Sequence, residues 1–147
     1  MASTYTPIAT TTLGSAAASY TFSSISSIYT DLVLVANGYI TTSAQGIRIQ
    51  FNGDTGTNYS NTTLSGTGSV AESARDTSGT NARLTYDASW STTTSDYAQI
   101  NVSIMNYANT TTYKTFISRA NRATSGVDAL VGLWRSTSAI TSITVFP

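Results

Sequence analysis

Short runs rich in Val, Ile, Tyr, Phe and Thr, separated by clusters of Gly, Asn, Asp and Ser, recur along the whole chain. That punctuation confines the chain to folds built from many short strands. About nine runs meet the criterion: Tyr5 to Thr12, Ser19 to Ile25, Leu32 to Asn37, Ile47 to Asn52, Asn81 to Tyr86, Tyr97 to Asn106, Lys114 to Arg119, Asp128 to Arg135 and Ile140 to Phe146. Ile47, Ile49 and Phe51 share one face of a strand while Arg48, Gln50 and Asn52 share the other, and Ile100, Val102 and Ile104 repeat the arrangement. Such strands are half buried. Leu32 to Val35 is instead a continuous apolar run, which predicts a strand covered on both faces, either centrally in the fold or against another subunit. Leu130, Val131, Leu133 and Trp134 around Gly132 form a second such run. Ile143 and Val145 are in phase but Ile140 is not, so a bulge or bend is expected around Ser142.

Helix is disfavoured. Roughly a third of the residues are Ser or Thr, and Glu, Lys, Gln and Leu are scarce. The one helical turn the sequence suggests lies around Val70 to Arg75. Asn52 to Ser69, with four glycines, and the Thr-rich stretch Ser89 to Ser95 are expected to be loops or hairpin connections. No internal repeat divides the chain. Strands without intervening helices exclude parallel βαβ construction and predict an all-β antiparallel sandwich, jelly-roll or Greek-key in form, with residues 1–147 as one domain.

Charged residues make up 10% of the chain, and seven cations (Arg48, Arg75, Arg83, Lys114, Arg119, Arg122, Arg135) balance seven anions. Cations so few and scattered predict no basic patch and no nucleic-acid partner. A neutral surface also lacks the self-repulsion that keeps monomers apart, which suits a subunit of an assembly. No apolar run approaches bilayer length, and the start of the chain has no basic and apolar leader, so membrane insertion and signal-dependent secretion are not expected. Met1 is expected to be docked, for instance against a neighbouring chain.

Histidine and cysteine are absent. Ser-His-Asp and Cys-His catalysis, imidazole acid-base chemistry, thiolate metal sites and disulfides are thereby excluded. A carboxylate pair of the glycosidase kind remains chemically open, with Asp31, Asp54, Glu72, Asp76, Asp87, Asp96 and Asp128 as candidates. None lies in a catalytic motif, and several adjoin turn residues where Asp accepts backbone hydrogen bonds. Asn52 to Asn58 offers closely spaced oxygens around glycines, but without the acidic spacing and closing glutamate of a calcium loop it reads as a hairpin connection. Sequons at Asn58, Asn61, Asn101 and Asn109 are expected by chance in so hydroxyl-rich a chain. Tyr39, Tyr59, Tyr86, Trp90, Tyr107 and Tyr113 fall near strand ends or loops, where they serve as core or interface anchors or as sugar-stacking platforms. Arg75-Asp76 and Arg119/Arg122 read as solvated surface or inter-subunit pairs. No catalytic, cofactor-binding or metal-ligating residue is assigned.

Four stretches resemble a family of β-rich virion proteins of tailed bacteriophages: Tyr5-Thr6-Pro7-Ile8-Ala9-Thr10; Tyr29-Thr30-Asp31-Leu32-Val33-Leu34-Val35; Ile47 to Asp54 with Asn58-Tyr59-Ser60; and Ala139-Ile140-Thr141-Ser142-Ile143. The resemblance covers nearly the whole chain, and its motifs are strand and turn patterns that carry no chemistry. It implies a non-enzymatic structural component of the virion, either a capsid decoration (cement) protein or a tail- or fibre-associated one. The implied partners are other virion proteins, the major capsid or a tail protein, and further copies of the chain. An oligomer such as a trimer is expected, since weak contacts repeated over many copies add up. The alternative is a carbohydrate- or host-receptor-binding module. Members of the family often continue past the Ile-x-Ser-Ile stretch into a further strand, whereas this chain ends at Val145-Phe146-Pro147. One sheet is therefore expected to expose an edge there, covered by a neighbour and blunted by Pro147.

Overall fold

The computed structural model describes residues 5–41, 46–86 and 90–147. These residues form ten strands in two antiparallel sheets. The smaller sheet contains β1 (Tyr20–Phe22), β3 (Arg48–Phe51), β6 (Ala82–Arg83) and β10 (Ile143–Phe146), in the order β1-β10-β3-β6. The larger contains β2 (Leu32–Gly38), β4 (Tyr59–Gly66), β5 (Ala71–Gly79), β7 (Ala98–Ile104), β8 (Lys114–Arg122) and β9 (Gly126–Trp134), in the order β2-β7-β8-β9-β4-β5. The chain crosses between the sheets at every connection except the β4-β5 hairpin and the β7-β8-β9 meander, which gives the strand orders of a jelly roll with the meander in the place of a single strand. The sandwich expected from the sequence is the fold.

Alternation drives the packing. Ile49 and Phe51 of β3 and Ile100, Val102 and Ile104 of β7 turn inward and are fully buried. Phe51 lies at the centre of an aromatic cluster, 5.7 Å from Phe116 edge-on, 5.5 Å from Trp134 and 6.3 Å from Tyr59 between ring centroids. Phe116 of β8 faces Gly132 of β9 across the sheet, and a Cβ at Gly132 would fall inside the Phe116 ring.

Several polar side chains also point inward, and three of them hold a neighbouring stretch of backbone. Asn61, Ser118 and Asp128 bond the backbone of the segment just after Ala82: Arg83 N–H donates to Asn61 Oδ1 (3.3 Å), Ser118 Oγ to Leu84 O (2.9 Å) and Tyr86 N–H to Asp128 Oδ2 (2.7 Å). Three strands of the larger sheet thus hold the end of the smaller one. Backbone groups that would otherwise be buried unpaired are satisfied.

Four expectations are corrected. Val70 to Arg75 is not a helical turn: from Ala71 onward it is strand β5, because the hairpin at Thr67 to Val70, closed by Thr67 N–H to Val70 O (3.0 Å), delivers the chain to the free edge of β4. Tertiary pairing overrides the local preference of Ala and Glu. Within Asn52 to Ser69, residues Tyr59–Gly66 are strand β4, which lacks an apolar alternation because its inward face carries Asn61, Thr63 and Ser65. Tyr5 to Thr12 has strand composition but, among the described residues, forms no strand and joins neither sheet. The last strand is not an edge: β10 lies between β1 and β3. Ile140 is buried although it is out of phase with Ile143, and Thr141 and Ser142 between them belong to no strand. The expectation for Met1 lies outside the described residues.

Candidate functional site

The carboxylates considered for catalysis are dispersed into structural roles. Asp31 Oδ1 accepts from Asn106 N–H (2.8 Å), whose residue has a positive φ. Asp76 pairs with Arg83 (2.8 Å) and accepts from Asn61 (3.2 Å). Asp96 pairs with Arg122 (2.9 Å) and accepts from Thr124. With the Arg122 contact to Trp90 O (3.3 Å), that pair ties the loop before β7 to the end of β8. Glu72 is exposed on β5, and Asp87 lies outside the described residues.

Asn52 to Asn58 is a turn, but it does not close a hairpin. Asn52 and Gly53 both have positive φ, and Asp54 N–H donates to Phe51 O at 2.9 Å, the geometry of a tight hairpin turn. The flanking strands nevertheless belong to different sheets. Asn52 explains the redirection: its Oδ1 accepts from Thr141 N–H (2.8 Å) and Ser142 N–H (3.1 Å), and its Nδ2 donates to Ala139 O (2.8 Å). Asp54 is used in the same way, accepting from Gly56 N–H (2.8 Å), Asn58 Nδ2 (2.9 Å) and Trp134 Nε1 (2.6 Å). Burial raises the pKa of its carboxyl, but the bonds from Trp134, Asn58 and Gly56 outweigh it and leave the group below its ordinary value. Among the described residues no group of three acidic side chains is placed to hold a metal.

The cations are less scattered than the sequence suggests. Arg48, Arg75 and Arg83 line one shallow depression around Asp76, and Arg48 and Arg83 are direct cross-strand neighbours. Lys114 is fully buried, its Nζ donating to Thr112 O (2.9 Å) and Thr137 O (3.2 Å).

Of the six aromatic candidates, Tyr59, Trp90 and Tyr107 are core residues. Tyr107 also hydrogen-bonds Ser26 O. Tyr39 and Tyr97 are exposed and stacked on each other, 5.7 Å between centroids at 12°. The pairing of Gly38 with Ala98 at the end of the β2-β7 ladder places them side by side. Tyr113 stands exposed, and Tyr86 lies beneath the Arg83 guanidinium.

One further feature was not singled out from the sequence. The outer face of the six-stranded sheet carries Val35, Leu64, Ile117, Val127 and Val131, each 51 to 61% exposed. Strand registers put Val33, Ser103, Ile117, Val131 and Thr62 in one row and Val35, Asn101, Arg119, Ala129 and Leu64 in the next. Leu64, Ile117, Ala129 and Val131 meet in an open, apolar depression of about 360 Å³. The signal was available in Leu32 to Val35 and Leu130 to Trp134, whose continuous apolar character leaves valines on both faces. No family model, curated protein or solved structure matches the chain.

Proposed function

We propose that this chain is a non-enzymatic structural protein of a tailed-phage virion, a capsid decoration (cement) protein or a tail- or fibre-associated component. The observation that carries the reading is the outer face of the six-stranded sheet, where Leu64, Ile117, Ala129 and Val131 meet in an exposed apolar patch, with Ser103, Asn101 and Arg119 in the same rows. Contiguous exposed apolar area of this kind marks a surface that another protein covers. Burial there yields roughly 25 cal/mol per Å² before association costs. The described aspartates support the same reading, since each is engaged in holding a turn, loop or strand. The resemblance to phage virion proteins supplies the setting, with the major capsid or a tail protein as partner and the virion as location.

The test is electron microscopy and mass spectrometry of purified virions with and without the encoding gene, alongside virions exposed to the I117D/V131D variant. The chain is expected in wild-type particles, and the variant, folded but polar on its outer face, is expected to be missing from them. Particles that contain no copies of the wild-type chain defeat the proposal.

A second reading, a carbohydrate- or host-receptor-binding module, is favoured by the exposed Tyr39–Tyr97 stack, whose faces suit sugar rings. Glycan-array binding that disappears in Y39A/Y97A would select it.

A further inference from the structure

Among the described residues, two stretches of strand character are not fully taken up by the sheets. The first is the edge strand β2. Leu32 to Gly38 pairs with β7 in unbroken register, and among the described residues no other segment bonds its far side. About half of its backbone groups therefore point outward unpaired. The opposite edge, β5, carries Glu72, Arg75 and Asp76 and pairs through a register shift, which are devices that discourage further pairing. β2 has neither charge nor shift, and Val33 and Val35 stand exposed on it. A run that reads in sequence as covered on both faces thus sits uncovered at an edge.

The second element is the segment leading into β1. Every residue from Tyr5 to Ser19 is exposed, and none of them enters a strand. Yet Tyr5 to Thr12 has strand composition, and no charged residue occurs before Asp31. An uncharged strand laid on an uncharged edge desolvates no ion.

We infer that the leading segment of one copy adds as a further strand to the β2 edge of a second copy. Pro7 has no amide to donate, so its side of the strand faces away from the acceptor. Thr6, Ile8, Thr10 and Thr12 then turn their backbone groups toward β2. Residues 13–19 remain as a tether that spans up to about 25 Å. A second copy is the occupant because each chain carries one donor segment and one acceptor edge. That head-to-tail arrangement satisfies both in every subunit and closes into a ring when the rotation permits.

The experiment uses the full chain in sedimentation velocity and hydrogen exchange, comparing wild type with I8P/T10P and A9P/T11P. Both variants alter exposed residues outside every strand, so folding is unaffected. Wild type and A9P/T11P are expected to be oligomers with protected β2 amides. I8P/T10P, which loses the amides facing β2, is expected to be a monomer whose β2 amides exchange at least about tenfold faster. A wild type that stays monomeric at about 100 μM, a concentration that populates even a micromolar contact, overturns the inference. So does an I8P/T10P oligomer, or equal loss in both variants. The inference deepens the assembly reading but fails separately from it: a chain that oligomerises this way yet is missing from virions sinks only the virion assignment.

Discussion

The indole N–H of Trp134, at the end of β9, donates to Asp54 Oδ2 at 2.6 Å, so a residue of the turn after β3 is fastened to an inner strand of the other sheet. Asp54→Ala removes that acceptor and those for Gly56 and Asn58, leaving a largely buried indole N–H unpaired, and is expected to cost about 2–3 kcal/mol. The lowered carboxyl pKa sets a pH signature. Its stabilisation is fully present above the unfolded value near pH 4 and is lost as pH falls through the lower folded value. Urea melts from pH 7 to 2 should show wild type losing its advantage over Asp54→Asn below about pH 4.

Gly132 and Phe116 are cross-strand neighbours in the core, and the ring occupies the space a Cβ would need. Gly132→Ala forces Phe116 out of the aromatic cluster around Phe51, and is expected to cost about 3 kcal/mol. The double variant G132A/F116L, which removes the obstructing ring, should recover part of the loss in thermal or urea denaturation.

Much of this fold was legible because its buried strands alternate in apolar residues, as Ile47 to Phe51 and Ile100 to Ile104 do. β4 and β5 were not legible, for a physical reason. Asn61, Thr63 and Ser65 face inward on β4, and part of that polarity serves the backbone of a segment some twenty residues away in sequence. Asn52-Gly53 announced its turn correctly, but whether the next strand returns beside the first is decided by Asn52 and Asp54 bonding residues 80 to 89 positions later. The outer apolar face was half legible: the valines of Leu32 to Val35 promised burial on two sides, and only the topology reveals that one side is bare.

Lys114 is buried with two carbonyl oxygens as its hydrogen-bond partners, and burial holds its ammonium below the ordinary lysine value. A folded pKa below the unfolded one means that the unfolded chain binds the proton more tightly. Stability should therefore rise with pH between the folded value and about 10.4. Lys114→Met keeps the aliphatic stem and removes the charge, so it is expected to lie within about 1 kcal/mol of wild type at pH 7 and to lack this rise, whereas Lys114→Ala should cost about 2–4 kcal/mol through the cavity. Chemical denaturation of the three proteins at pH 7 and pH 9.5 checks both statements.

Tyr59 supplies the opposite alkaline behaviour. Its hydroxyl accepts from Phe51 N–H at 3.0 Å inside the core, and burial pushes the phenol up to about 12; the Phe51 amide, donating to the phenol oxygen, pulls it down and the Asp54 charge pushes it further up. A raised folded pKa contributes stability that is complete below the unfolded value near 10 and is lost as pH climbs through the folded value, because the unfolded chain ionises first. The loss amounts to about 2–3 kcal/mol by pH 12. Tyr59→Phe removes that titration but strands the buried Phe51 amide, costing about 1–2 kcal/mol at neutral pH. The two stability curves should therefore converge above pH 10, wild type starting higher and falling faster. Parallel curves in urea denaturation from pH 7 to 11.5 would show that Tyr59 is not the group responsible.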